Sequence, residues 1–244
     1  MPVSSDALLL VGADEWAPVN RAGRPYVVYK FAATLDGRIA AADGTSQWIT
    51  SATSRSEVHL LRAACHATVV GSGTQQADDP HLAVRGNDDP RLGIPALTSD
   101  RQPWRVIVDS NARTPAGARV LDDAAPTIVA VAHDAGADHL VGRCQVVRLP
   151  RTERGLDLHA LLSALSERAV RAVLLEGGPT LAGSFIAAGL VDRVIAYIAP
   201  ALLGAGKAGL VDAGMTTISD ILRLDLLEVG RCGPDLRLVA RVPR

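Results

Sequence analysis

The sequence predicts an α/β protein with a mostly parallel central sheet, helices on both faces and antiparallel strands at one edge. Three observations carry this. Short apolar runs alternate with segments of helical periodicity, and the last third is strand-rich. Apolar residues make up 48% of the chain but aromatic residues only 3%, so the core must be built from Ala, Val, Leu and Ile. At 244 residues the chain can form one large domain or two small ones.

A Pro/Gly-punctuated opening, NRAGRP, precedes a first strand at residues 26–32, where aromatic and β-branched residues mix. Residues 51–65 place Val58, Leu61 and Ala64 on one helical face behind Ser or Thr caps. Residues 67–70 are a short strand closed by Gly71 and Gly73, and TQQADDPHLAVR reads as a turn and irregular loop. The proline- and charge-rich stretch 86–103 separates this half from a strand at 104–108. Strands at 127–132 and 145–149, helical periodicity over 156–168 and a strand at 172–175 follow. GGPTLAGSFIAAGL then opens a helix with Pro179 in its first turn and Gly189 as its stop. Strands at 194–199, 221–229 and 236–242 complete the chain.

Lys plus Arg total 25 and Asp plus Glu 26, a net charge of −1, so duplex or tRNA binding is not expected and small-molecule chemistry is. Cys65, Cys144 and Cys232 are far apart and read as reduced thiols. Six histidines form no H-x-x-x-H or H-E-x-x-H pattern, so no metal site is expected. No segment reaches the ~20 apolar residues of a bilayer span. The amino-terminal LLLVG follows Asp6 rather than a basic residue, which is the wrong polarity for a secretory signal. These features point to a cytoplasmic protein without a membrane partner.

Three motifs can carry chemistry. In VLLEGGPT an apolar strand runs through Glu176 into two glycines and a helix start, an arrangement suited to a dinucleotide pyrophosphate or simply to tight helix–strand packing. In VIVDSNART, Asp109 could accept from a ribose 2′-hydroxyl, whereas Ser110 with Arg113 would suit a 2′-phosphate; the strand-ending turn itself explains Asp-Ser-Asn equally well. The third is the polar set Lys30, Asp36, Ser46, Trp48, Thr50, Arg62, Asp78, Asp79 and Arg85. Lys30 stands in an apolar strand, either buried for a purpose or snorkelling from a sheet edge. Arg62 and Arg85 have forks suited to a phosphate or to plain ion pairs.

The strings YKFAATLDGRIAAADGTSQWITS, VHLLRA, VVGSGTQQADDPHLAVR, RVIVDS, EGGPTLAGSFIAAGLVD and IAPALLG closely resemble the reductase domain of the riboflavin-biosynthesis deaminase/reductase family. The resemblance runs from about Pro25 to the carboxyl terminus, leaving residues 1–24 as an extension before a reductase domain at 25–244. It implies a dihydrofolate-reductase-like fold, a homodimer, and NADPH-dependent reduction of 5-amino-6-(5-phosphoribosylamino)uracil to its ribitylamino product. It also implies cofactor contacts at Ala32, Trp48, Thr74, Asp78, Ser110 and the segment Gly178, Pro179, Thr180, Leu181, Ala182, Gly183, Ser184. Substrate contacts are implied at Ser46, Arg62, Leu82, Arg85 and Glu176.

The implied chemistry is hydride transfer to C1′ of a ring-opened ribosyl imine. Lys30 is expected to place positive charge near the imine nitrogen, with Asp78 or Glu176 ordering the sugar hydroxyls. Asp36, in the LDGR turn, is expected to be structural. The family's zinc deaminase elements, H-x-E and P-C-x-x-C, do not occur, so a stand-alone reductase without deaminase activity is expected. A pterin or other imine reductase, and a non-catalytic dinucleotide-binding module, are the alternatives on the same fold.

Overall fold

The strands of this chain are short and almost wholly apolar, and strands of that kind need both faces covered. The computed structural model describes residues 4–85 and 97–243. In chain order the elements are α1 (Ser5–Leu10), α2 (Trp16–Arg21), β1 (Tyr26–Thr34), α3 (Ala52–Ala64), β2 (Ala67–Gly71), α4 (Ser72–Asp78), β3 (Trp104–Val108) and β4 (Thr127–Ala132). There follow β5 (Gln145–Leu149), β6 (Arg151–Thr152), β7 (Gly155–Leu156), α5 (Leu158–Ser166), β8 (Ala172–Leu175), α6 (Pro179–Ala187), β9 (Arg193–Ala199), β10 (Asp225–Cys232) and β11 (Asp235–Arg241).

The main sheet has the order β10-β11-β9-β1-β8-β2-β3-β4-β5. From β9 to β5 every pairing is parallel, and β11 and β10 add on antiparallel at the β9 edge. The expected architecture is therefore present. Because strand side chains alternate faces, Tyr26 and Val28 of β1 enter one apolar cluster with α1, α2 and α3, while Val27 and Tyr29 enter the other with α5 and α6.

Three segments differ from the sequence expectation. Residues 72–78, read mostly as loop, form α4; only Gln75 of this polar helix is buried, so it carries no apolar periodicity to betray it. The helical stretch expected from residue 156 begins at Leu158, after the hairpin β6–β7. The strand expected from residue 221 begins at Asp225, which pairs with Arg241 where β11 ends. The expected separator 86–103 lies outside the described residues for 86–96.

Residues 4–24 pack on the sheet. Trp16 and Val19 join Val58 and Leu61 in the core, and buried Arg193 donates to the Leu9 and Leu10 carbonyls (2.6 and 3.0 Å) and to Glu15 (2.8 Å). Asp192 binds the Arg24 fork at 2.7 and 2.8 Å. Asp36 accepts from Thr34, Gly204 and Leu203; chiefly the Thr34 hydrogen bond holds its carboxyl down at about 2. It ties the turn after β1 to the segment after β9, as a structural residue would. Among the described residues no helix is long and apolar enough to cross a membrane.

One buried charge organises the β3–β4 end. Arg105 is fully buried and donates to Thr127 Oγ1 (2.9 Å), Asp122 Oδ1 (2.7 Å), the Asp122 and Ala125 carbonyls and the His81 carbonyl (3.4 Å). Removing such a group strands several acceptors at once. Arg105→Met is expected to cost about 3 kcal/mol, the lower end of the range for a broken buried pair, because the Asp122 side chain is 45% exposed and can rehydrate. Denaturant titration should show it, with Tm lower by roughly 6–12 °C; an unchanged midpoint would mean that the guanidinium is not needed.

Candidate active site

Parallel pairing brings the carboxyl ends of β1, β8, β2 and β3 to one edge of the sheet, the edge where open α/β sheets place ligands. The β1–β8 register matches Tyr29 with Leu175, so the next residues, Lys30 and Glu176, are neighbours. Alternation sends both toward α3, since Tyr29 and Leu175 face the other way. On α3, buried Val58 and Leu61 face the sheet, and Arg62 presents its fork to Glu176. Nε–Oε1 is 2.6 Å and Nη2–Oε2 3.0 Å, a bidentate pair with both side chains largely buried.

Lys30 is half-buried, with Nζ 5.8 Å from the Tyr197 ring centroid. It stands on a central strand, which removes the sheet-edge alternative. Burial lowers its pKa; Glu176 opposes that and Arg62 adds to it. Burial alone would raise the Glu176 carboxyl, but Arg62 and Lys30 hold it below the usual carboxylate range. His59, one turn before Arg62 and not singled out by the sequence, is lowered to about 4 by burial and by Arg62. It is therefore neutral near pH 7, and its Nδ1 accepts the Arg85 backbone N–H at 3.3 Å. The fork of Arg62, expected to suit a phosphate, is filled by Glu176, whereas the Arg85 side chain is exposed.

Beyond Glu176 the chain turns into a cleft of about 630 Å³. Its walls include Ser46, Thr74, Asp78, Ser110, Gly178, Pro179, Thr180, Leu181 and Ser184 of the expected residues, together with Lys207, Arg113 and Arg154. Lys207 is the only lysine besides Lys30 among 25 basic residues. The starts of α4 and α6 meet here. Each has a glycine N-cap, Gly71 or Gly178, without a side-chain cap, and a Cβ on Gly178 would lie 3.3 Å from Thr74 Oγ1. The second glycine of the motif also serves packing, since a Cβ on Gly177 would come within 2.9 Å of Leu181 Cδ2. Burial raises the Asp78 carboxyl.

The remaining expected contacts lie elsewhere. Ala32 packs against the α3-side cluster, and Ala182 is buried in the opposite one. Gly183 lies beneath the backbone of Val211, where a Cβ would come within 1.9 Å of the Val211 carbonyl oxygen. Trp48 is exposed with the Arg55 guanidinium 4.3 Å from its ring. Leu82 is buried with φ +61°. Asp109 is fully buried and accepts from the Thr114 N–H and hydroxyl at 2.7 and 2.8 Å, so it closes its own turn and does not line the cleft.

A glycine-capped junction of two helix starts, with hydroxyls and two arginines on the walls, fits a phosphorylated nucleotide cofactor. The chain as a whole is similar to known proteins. A family model described as the RibD C-terminal domain matches residues 25–238. The riboflavin biosynthesis protein RibD of Mycobacterium tuberculosis is 41% identical over 229 residues, 93% of this chain and 58% of that protein. This chain thus spans somewhat over half the length of such relatives. A protein of Methanothermobacter thermautotrophicus named 2,5-diamino-6-ribosylamino-4(3H)-pyrimidinone 5′-phosphate reductase is 42% identical over 218 residues, 87% of this chain and 96% of that one. The solved structure of Acinetobacter baumannii RibD superposes with a TM-score of 0.76 at 33% identity, covering 91% of this chain and 59% of that one. This chain belongs to the RibD C-terminal domain family.

Proposed function

We propose that the protein is the NADPH-dependent reductase that converts 5-amino-6-(5-phosphoribosylamino)uracil to 5-amino-6-(5-phosphoribitylamino)uracil in riboflavin biosynthesis. The observation that carries this reading is the β1–β8 register, which sets Lys30 beside Glu176 at the strand edge that opens into a nucleotide-sized cleft. When bound, the dihydronicotinamide supplies a hydride, which the ring-opened ribosyl imine of the substrate accepts at C1′. Gly178, Pro179, Thr180, Leu181 and Ser184, with Thr74 and Asp78, would hold the cofactor, and Ser110 with Arg113 would meet its 2′-phosphate; Ala32, Trp48, Ala182 and Gly183 stand off the cleft wall and would act only through their neighbours. The alternative reader of an unphosphorylated ribose, Asp109, is fully buried off the cleft wall, with its Oδ2 bound to Thr114.

Lys30 presents an ammonium whose proton is loosened by burial, and so raises the electrophilicity of the imine by donating toward its nitrogen. Glu176 keeps Lys30 and Arg62 compatible in one buried place and orders the sugar hydroxyls. With the Arg62 fork filled, Arg85 and Ser46 are left to meet the substrate phosphate, and Leu82 lies three positions before Arg85. Three unpaired cysteines suit a cytoplasmic location. The exposed apolar side chains Leu226, Leu227 and Val229 on edge strand β10, with Ile218 before it, favour a homodimer that covers that edge.

The testing experiment follows loss of reduced-nicotinamide absorbance with NADPH and, in parallel, the ribosylaminouracil phosphate, its diamino precursor and dihydrofolate. Turnover of the uracil is expected. Turnover of the diamino compound alone would move the substrate to the one in the archaeal relative's name, and turnover of dihydrofolate alone would overturn the reading.

Lys30→Ala should lower kcat by about 10²–10⁴-fold, the usual size of a general-acid contribution. In the wild type the protonated ammonium is the active form, so kcat should fall as pH rises through a pKa below the ordinary 10.5. Glu176→Gln removes the group that opposes this lowering and should move the decline to lower pH; an unmoved limb would separate Glu176 from Lys30. Leu226→Asp with Val229→Asp should convert dimer to monomer by light scattering, and a wild-type monomer would refute the β10 interface.

A further inference from the structure

We propose that Arg154, at the tip of the β6–β7 hairpin, exchanges its pairing with Asp212 for the 2′-phosphate of the bound nucleotide, forming the second arm of a clamp whose first arm is Arg113. The inference rests on the nucleotide reading of the cleft given above.

The hairpin is a two-residue loop, Glu153-Arg154, between the pairs Thr152–Gly155 and Arg151–Leu156. Gly155 has φ +113°, and a Cβ there would lie 3.5 Å from Ser110 Oγ, so the tip is seated on the turn that follows β3. Arg151 fixes the seat: Nη2 donates to Asn111 Oδ1 at 2.9 Å and Nε to Asp134 Oδ1 at 2.8 Å. The Arg151 fork is thereby used, and Arg154 is the hairpin's arginine on the cleft wall.

Arg113 lines the same cleft as Ser110, with Nη2 donating to Ser72 Oγ at 2.9 Å and Nε 4.0 Å from Asp109 Oδ1. Ser110 thus shares the cleft wall with two arginine side chains that are 52% and 43% exposed, available to a ligand entering from water. Arg154 is engaged meanwhile. Its Nη1 donates to the Asp212 carbonyl at 2.6 Å and lies 3.3 Å from Asp212 Oδ2.

Asp212 belongs to the strap 209–212, which crosses α6 at Gly183 and is held by the Val211 N–H to the Pro179 carbonyl at 3.3 Å and the Tyr29 hydroxyl to the Gly209 carbonyl at 2.7 Å. Val211 lines the cleft, so the Arg154–Asp212 pair closes the gap between hairpin and strap. An exposed ion pair of this kind is weak. A dianionic phosphate offers the planar fork a stronger, bidentate partner. The exchange would both bind the phosphate and free the strap.

The test is calorimetric binding of 2′,5′-ADP and 5′-ADP to the full chain, which needs no turnover. Wild type should favour 2′,5′-ADP. Arg154→Gln should weaken 2′,5′-ADP by roughly five- to ten-fold, as expected for one half-exposed charge-assisted contact, and leave 5′-ADP within two-fold. Arg154→Lys should retain part of the preference. Asp212→Asn, which removes the competing carboxylate, should tighten 2′,5′-ADP. A preference unaltered in Arg154→Gln, with wild-type circular dichroism, would overturn the clamp. If wild type bound neither nucleotide, the nucleotide reading of the cleft would fail, and the clamp with it.

Discussion

The bidentate pair between Arg62 and Glu176 holds together a site that would otherwise repel itself. Lys30 and Arg62 are like charges brought close in a largely buried place, and neither is tolerable there without the carboxylate between them. That pairing demands two unrelated placements. The β1–β8 register must set Lys30 beside Glu176, and α3 must sit so that its third turn faces the end of β8. The second demand is met at the far side of the sheet. Asp235, the first residue of β11, accepts from the Ser51 N–H and the Ser54 hydroxyl at 2.8 and 2.6 Å, which seats the start of α3. Glu57 is held by Tyr197 and Arg237 at 2.7 and 2.6 Å. The antiparallel edge therefore does more than lengthen the sheet: it aims the helix that carries Arg62.

Basic residues are divided by task. Of 25, only Lys30 and Lys207 are lysines. Structural positions such as Arg105 and Arg193 use the guanidinium, which keeps its charge on burial and satisfies several carbonyls at once. In the proposed reaction Lys30 occupies the position where a proton is donated, and a guanidinium there would hold it too tightly.

The cleft is assembled from segments remote in the chain: the α4 start, the end of β3, the hairpin before α5, the α6 start and the strap after β9. Glycine permits the closest of these approaches. At Gly183 the strap backbone crosses α6 in the space a side chain would fill, and at Gly155 the hairpin rests on Ser110. The cleft walls thus carry polar and basic side chains, and the chain runs from Glu176 of the Arg62–Lys30 cluster through Gly177 into the wall at Gly178.

Short-range signals were enough for much of this protein. Apolar runs bounded by turn residues marked β1 through β5, β8, β9 and β11 to within about two residues, and Ser51, Pro179 and Gly189 marked helix limits by capping chemistry that acts within one turn. The hairpin signal Thr-Glu-Arg-Gly was also present, but it is hidden against the helical periodicity that follows it. Residue types alone made Lys30, Arg62 and Glu176 conspicuous. Their pairing was another matter. Arg62 and Glu176 are 114 positions apart, and whether the fork meets a carboxylate or a phosphate depends on strand register and helix placement. Likewise, only folding decided that Asp109 would be buried against Thr114 and that Arg154 would share a cleft wall with Arg113 and Ser110. Local periodicity and capping are properties of neighbouring residues and are written in the chain. The partner of a charged side chain is chosen by which groups the sheet brings within reach once water is excluded, and that choice belongs to the tertiary structure.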